Sequence, residues 1–369
     1  MGESGDARFM REALRQARKG LGRTSPNPAV GAVIVRDGSV VASGYHRRAG
    51  APHAEVEALR RMEEPARPGD TLYVTLEPCN HVGRTPPCTE AILAQGIRRV
   101  VVGMRDPNPH VSGGGCAYLE GKGVEVLTGV LEKECRALNE AFIKHVETGR
   151  PFVTAKSAAT LDGWTATGTG HSRWVTNERS RRFVHRLRDR TDAILVGVGT
   201  VLADDPSLTT RLGKRRGRDP IRVIADSRMR IPDHACVLHL ESPAETWIAV
   251  DESLPRSRVA RAAGWDRVKT LACPTDEGGL DLASLLDVLG SRGITSLLVE
   301  GGAALMGSMI RRRLIDKYYL FQAPKLLGGG DGVPVASGPG ARRMDECVLL
   351  RDIRIRRFDD DIMIQGYPA

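Results

Sequence analysis

Four side chains near the start of the chain form a set that can do hydrolytic chemistry. Pro52-His53-Ala54-Glu55 is followed by Glu77-Pro78-Cys79 and then by Cys88. A catalytic zinc needs three protein ligands and one open position for water, and His53, Cys79 and Cys88 supply three. Metal held this way brings the pKa of its water towards neutrality. Glu55, two residues after His53, can stand beside the metal without binding it and carry the water's proton to a leaving group. The other reading is a closed structural site, with His81 as fourth ligand and Glu55 idle.

The elements that must position these groups are legible around them. Cys79 follows a predicted strand, Thr71–Leu76, at the end where open α/β sheets gather ligands. Cys88 precedes a helix expected to begin near Thr89, whose positive end favours thiolate over thiol. His53–Arg61 reads as a helix after Pro52, residues 6–19 as an amphipathic helix, and Thr24–Pro28 as a Pro-rich turn. Val30–Val35 and Val40–Gly44 form a hairpin around Asp37-Gly38. Val100–Met104 and Val124–Thr128 are strands, and Glu132–Val146 is one long helix. Thr148-Gly149-Arg150-Pro151 stops that helix and sets a domain boundary, giving residues 1–148 and 149–369.

The second half carries strands at Phe152–Lys156, Ala193–Val198, Ile221–Ala225, Glu245–Val250, Arg267–Leu271 and Ser296–Val299. Helices fall near Ser180–Arg188 and Leu282–Ser291, and a last strand pair at Tyr318–Ala323 and Arg351–Arg357. Both halves alternate strand and helix, the pattern of layered α/β domains. Gly197–Arg211 and Val299–Met306 each run from a buried strand through glycine into a helix. Such junctions let backbone N–H groups and the helix dipole meet phosphate. Neither is G-x-G-x-x-G, so the usual dinucleotide fingerprint is missing, and each alone could be a tight α/β connection. Thr160-Leu161-Asp162-Gly163 reads as a strand ending in a turn, and Gly170–Trp174 as a short loop.

The bulk numbers fit two soluble domains. The chain has 369 residues, 41% apolar and 27% charged, with only 4% aromatic, so its cores rest on aliphatic side chains. No apolar run reaches the roughly 18 residues of a spanning helix, and Met1–Arg23 has no signal-peptide core. A cytoplasmic location without membrane contact is expected. The net charge of +9 fits a phosphate-bearing partner or simple surface decoration. Stacking aromatics interleaved with the basic residues are missing, which speaks against a single-strand nucleic-acid binder. Seven cysteines without framework spacing do not suggest disulfides.

His53-Ala54-Glu55 with Pro78-Cys79 resembles the cytidine-deaminase-like zinc enzymes, whose worked pattern is H-x-E…P-C-x-x-C. The departure is eight residues between the two cysteines in place of two. The longer string Glu77–Cys88, with Thr24–Gly31 and Gly44–Glu55, resembles one branch: the bifunctional deaminase–reductases of riboflavin biosynthesis. The resemblance implies a cytidine-deaminase-like three-layer α/β/α domain followed by a dihydrofolate-reductase-like α/β domain. It implies zinc on His53, Cys79 and Cys88, Glu55 as proton carrier, and a phosphoribosylamino diaminopyrimidinone as substrate. Asn27 and His46 would hold its ring or sugar, and Arg84 its phosphate or the loop.

For the second half the same resemblance implies NADPH, since nothing in the chain can itself donate hydride. Ala158, Trp174, Thr200, Asp204, Ser227 and the run Gly302, Ala303, Ala304, Leu305, Met306, Gly307 and Ser308 would face the cofactor. Lys156, Ser172, Arg188, Leu208, Arg211 and Glu300 would face the substrate, the two arginines gripping its phosphate in a bidentate manner. Asp204 is the candidate for orienting or protonating the reacting centre, or else a helix-end carboxylate beside Asp205-Pro206. Trp174 could equally be core packing, and Arg228 is a candidate for the 2′-phosphate. The family commonly self-associates, so a homo-oligomer is expected. The competing functional readings are a deaminase of flipped tRNA bases with an accessory domain, and a basic binding protein without activity.

Overall fold

A computed structural model describes residues 5–81, 86–108, 114–213, 217–277 and 279–369. The chain divides into two compact units, Met1–Gly149 and Arg150–Ala369.

The first unit is built on a five-stranded sheet, in the order Ser39–Tyr45, Gly31–Arg36, Thr71–Leu76, Arg99–Met104, Glu125–Thr128. The first two junctions are antiparallel and the last two parallel. The Asp37-Gly38 turn has φ of 49° and 73°, the left-handed pair that matches the twist of a two-residue hairpin. Every residue of Thr71–Leu76 is buried, as in a strand covered on both faces. The helix Gly5–Ala17 turns Phe9, Met10, Ala13, Leu14 and Ala17 onto this sheet. It comes so close that a Cβ at Gly31 would stand 2.1 Å from the Ala13 carbonyl oxygen.

The expected long helix over Glu132–Val146 is two helices, Glu132–Leu138 and Glu140–Thr148. Asn139 interrupts them at φ −110°, ψ 20°. Its amide accepts from the Ala29 N–H at 2.8 Å and donates to the Ala29 carbonyl at 3.1 Å. A buried side chain thus binds the Pro-rich turn as a strand would.

The second unit holds a nine-stranded sheet. Across it run Val268–Cys273, Thr246–Asp251, Ile221–Ala225, Ala193–Gly197, Ser296–Gly301, Phe152–Thr160, Lys317–Ala323, Asp361–Pro368 and Leu350–Phe358. All junctions are parallel until Asp361–Pro368, which runs antiparallel to both its neighbours. The expected pairing of the last two strands is therefore wrong. Both exist, but Asp361–Pro368 lies between them, folded back through a turn at Asp359 with φ 54°. Ala193–Gly197 sends Leu195 into one apolar cluster and Ile194 and Val196 into another, so the sheet is covered on both faces. Among the described residues no helix is long and apolar enough to cross a membrane.

Candidate metal centre and anion-binding site

His53 caps the helix Ala54–Leu59, Cys79 follows the strand Thr71–Leu76, and Cys88 is itself the first residue of the helix Cys88–Ala94, one position earlier than expected. The His53 Nδ1 atom lies 3.2 Å from the Cys88 sulfur and 3.4 Å from that of Cys79. Ligands at about 2.1 and 2.3 Å from a tetrahedral zinc stand about 3.5 Å apart, so this donor set fits the ion closely. His53, Cys79 and Cys88 form the one such ligand group among the described residues; His81 is exposed and outside it, which removes the closed four-ligand reading.

Glu55 lies buried beside this group on the first turn of the helix. Burial pushes its carboxyl up to about 7, against the pull of His53. A hydrogen bond from the Cys88 thiol holds Cys79 down at about 4, with His53 adding to the effect, while Cys88, facing that sulfur and Glu55, is pushed up. A divalent cation among the three donors would favour thiolate at both sulfurs.

The surrounding shell is specific. The helix Ala54–Leu59 rests on Gly44, where a Cβ would come within 2.4 Å of Ala54 O and Ala58 N. His46 Nδ1 donates to the Pro52 carbonyl at 3.1 Å, which leaves Nε2 to accept from Asn27 Nδ2 at 3.2 Å. The His46 ring meets the His53 ring edge-on at 5.4 Å, so Asn27, His46 and His53 form a continuous row. Arg84 lies outside the described residues. Sequence reasoning assigned nothing to Glu77, although it stands in the matched string. Its carboxylate accepts from Asp106 N at 3.2 Å and Cys116 N at 3.0 Å, fixing the backbone that leads to Cys79.

In the second unit Arg188 and Glu300 form a two-pronged ion pair at 2.6 and 3.0 Å. A third nitrogen of Arg188 donates to the Thr209 carbonyl at 2.9 Å, and Lys156 Nζ lies 3.8 Å from Glu300. The fork expected to grip phosphate is thus engaged by Glu300. Arg211 is exposed, its guanidinium donating to Ser207 Oγ at 2.9 Å. Its backbone N–H donates to His185 Nδ1, a residue the sequence reading passed over although it stands one turn before Arg188. Burial, then Arg188 and Arg211, hold His185 down at about 4, so it is neutral. Lys156, Arg188, Arg211 and Arg173 outnumber the carboxylates that act on them, Glu300 and Asp219, which leaves positive charge in excess, the setting for an anion.

Other expected contacts are altered in kind. Leu208 is 3% exposed and packs in the core, so only its backbone can meet a ligand. Leu305 and Met306 also point into the core, leaving the first-turn N–H groups of the helix Ala303–Arg311 as its offering to phosphate. Gly302 enters that helix at φ 80° beside Thr200 Oγ1. Ala158 packs against the Phe321 cluster, and the Ser227 carbonyl accepts from Asp251 N. Asp204 ends the helix Val198–Asp204, its carbonyl accepting from Arg173. Arg228 is exposed. Trp174 is 57% exposed, which rules out core packing, and with Ser172 it lines a cavity of about 260 Å³.

An open-cornered His–Cys–Cys site with a buried carboxylate on a 2-1-3-4-5 sheet, followed by an α/β unit of the reductase kind, defines a zinc deaminase joined to a reductase. The RibD C-terminal domain family matches residues 151–364, and the cytidine and deoxycytidylate deaminase zinc-binding region matches residues 3–104. The riboflavin biosynthesis protein RibD of Escherichia coli K12 is 41% identical over 372 residues, covering 97% of this chain and 98% of the relative. That of Aquifex aeolicus is 42% identical, covering 97% of each. A crystal structure of a diaminohydroxyphosphoribosylaminopyrimidine deaminase/5-amino-6-(5-phosphoribosylamino)uracil reductase from Thermotoga maritima superposes with a TM-score of 0.87 at 38% identity over 99% of both chains. Acinetobacter baumannii RibD does so at 0.87 and 35% identity, again over 99% of both. The chain belongs to the RibD family, the bifunctional deaminase–reductases of riboflavin biosynthesis, with zinc in the deaminase part and NADPH in the reductase part. The relatives span both halves, which leaves the tRNA-deaminase reading without support.

Proposed function

We propose that residues 1–148 release ammonia from 2,5-diamino-6-(5-phosphoribosylamino)pyrimidin-4(3H)-one, and that residues 149–369 reduce the ribosyl side chain of the product to ribityl phosphate. The observation that carries this reading is the His53–Cys79–Cys88 group with Glu55 buried beside it and outside the ligand set. Zinc held by His53, Cys79 and Cys88 would supply a water acidic enough to react at neutral pH. Glu55 takes that water's proton as the C2–O bond forms and delivers it to the amino nitrogen as the C2–N bond breaks. One carboxylate beside the ligand group, buried and outside it, can serve both transfers. Asn27 and His46, joined to each other and edge-on to His53, orient the ring.

NADPH supplies the hydride for the second reaction. Ala158, Trp174, Thr200, Asp204, Ser227 and the Gly302–Ser308 turn hold it, the last through backbone N–H groups. Ser172, Lys156, Arg211 and the backbone at Leu208 hold the substrate, with Arg188 fixed by Glu300 as the rigid wall of the phosphate site. Asp204 gives a proton to the ring oxygen of the ribosyl group, whose bond to C1′ breaks as C1′ takes the hydride. The substrate is a free nucleotide and not nucleic acid, and the enzyme works in the cytoplasm as a homo-oligomer.

Glu55→Gln tests the deaminase assignment. Ammonia release should fall by about 10²- to 10⁴-fold, with zinc content, and NADPH oxidation on the already deaminated pyrimidine, unchanged. Deamination at the wild-type rate would remove Glu55 from the reaction.

A further inference from the structure

Two adjacent parallel strands, Phe152–Thr160 and Lys317–Ala323, end level with each other, Thr160 opposite Ala323. The segments leaving them line the cavity that also holds Ser172 and Trp174. Two charged side chains tie these segments together. Lys325 Nζ donates to the Trp174 carbonyl at 2.5 Å, while its own carbonyl accepts from Leu161 N at 2.8 Å. Asp162 accepts from the Thr160 hydroxyl with one oxygen and from Gly328 N at 2.8 Å with the other. The Gly328 N–H, then Thr160, hold the Asp162 carboxyl down at about 2, so it is ionised wherever the enzyme works. Around this knot the large apolar side chains of Leu161, Trp174 and Leu326 stand open to solvent. Apolar surface exposed at the mouth of a cavity suits a flat heteroaromatic ring.

We infer that Lys325, with Asp162, is a positioning residue for hydride transfer, holding the Ser172–Trp174 segment where the nicotinamide and the pyrimidine must meet. Neither side chain touches the reacting atoms in this account; each acts through the loop it fixes. The inference rests on the reductase reading above. Misplacing a ligand-holding segment by about 1 Å costs up to about 100-fold in rate, which sets the scale of the effect.

The test is steady-state NADPH oxidation with the deaminated phosphoribosylaminouracil, using zinc-loaded full-length protein. Wild-type turnover that depends on this pyrimidine secures the reductase reading, and its lack would indict that reading and the latch together. Lys325→Met should lower kcat/KM by about 10- to 100-fold, chiefly by raising KM for both NADPH and the pyrimidine. Lys325→Arg, which keeps a donor, should recover to within about threefold. The double variant with Asp162→Asn should be no worse than the poorer single, because both changes loosen one knot. A Lys325→Met enzyme with wild-type KM values, or additive losses in the double variant, would overturn the inference. Should Lys325→Met lower the thermal midpoint, Lys325→Arg decides: wild-type KM values support the latch, and losses like those of Met refute it.

Discussion

Arg188 closes its guanidinium on the Glu300 carboxylate through two contacts of 2.6 and 3.0 Å, with both side chains largely shut off from water. The pair joins the helix Glu178–Arg190 to the end of the strand Ser296–Gly301, so one ion pair aligns the two elements that frame the anion site.

Burial pushes the Glu300 carboxyl up, but Arg188, with Lys156, outweighs it and leaves the group below its ordinary value of 4.5. A depressed carboxyl stabilises the fold above its unfolded pKa and loses that contribution as pH falls through its folded one. Second-unit stability should therefore decline from about pH 4.5 downward through this group. Glu300→Ala should bring Arg188 and Lys156 together unpaired, destabilise that unit by about 3–5 kcal/mol and flatten the acid limb. Thermal unfolding against pH reads both effects, and a variant as stable as wild type with the same acid limb would contradict the assignment.

Gly44 is the floor under the helix that presents His53 and Glu55. Gly44→Ala would press a methyl within 2.4 Å of Ala54 O and Ala58 N, displacing that helix at a cost of about 1–3 kcal/mol. Ammonia release should drop by about 10²-fold and zinc should be lost more readily to a chelator, while NADPH oxidation on the already deaminated pyrimidine continues. Wild-type deamination by Gly44→Ala would show that the helix has room to spare.

Asn139 offers a third handle. Asn139→Leu leaves the Ala29 N–H and carbonyl unpaired in the interior, a loss of about 2–4 kcal/mol. Because Ala29 adjoins the turn that carries Asn27, the KM of the deaminase should rise more than its kcat falls. An unchanged KM would separate the turn from ring binding.

The ligand group was legible because metal chemistry demands particular residue types at strand and helix ends, and His53, Cys79 and Cys88 stand at such ends. The role of Gly44 was not, since a glycine required by helix contact looks in sequence like any other. The break at Asn139 was hidden because its cause, the backbone of Ala29, lies far away along the chain. The strand Asp361–Pro368 escaped notice next to the charged run Arg351–Arg357, and with it the order of the last three strands. Arg188 was read as a phosphate fork because guanidinium geometry suits phosphate; it suits Glu300 equally, and only the fold brings the two together.

The most direct measurement follows ammonia and nicotinamide absorbance separately after adding the diaminopyrimidine phosphate to zinc-loaded protein, with and without NADPH. Ammonia should appear in both cases, and NADPH consumption should trail ammonia release and never exceed it. Zinc-replete protein that releases no ammonia, or that oxidises NADPH before any ammonia is formed, would contradict deamination followed by reduction.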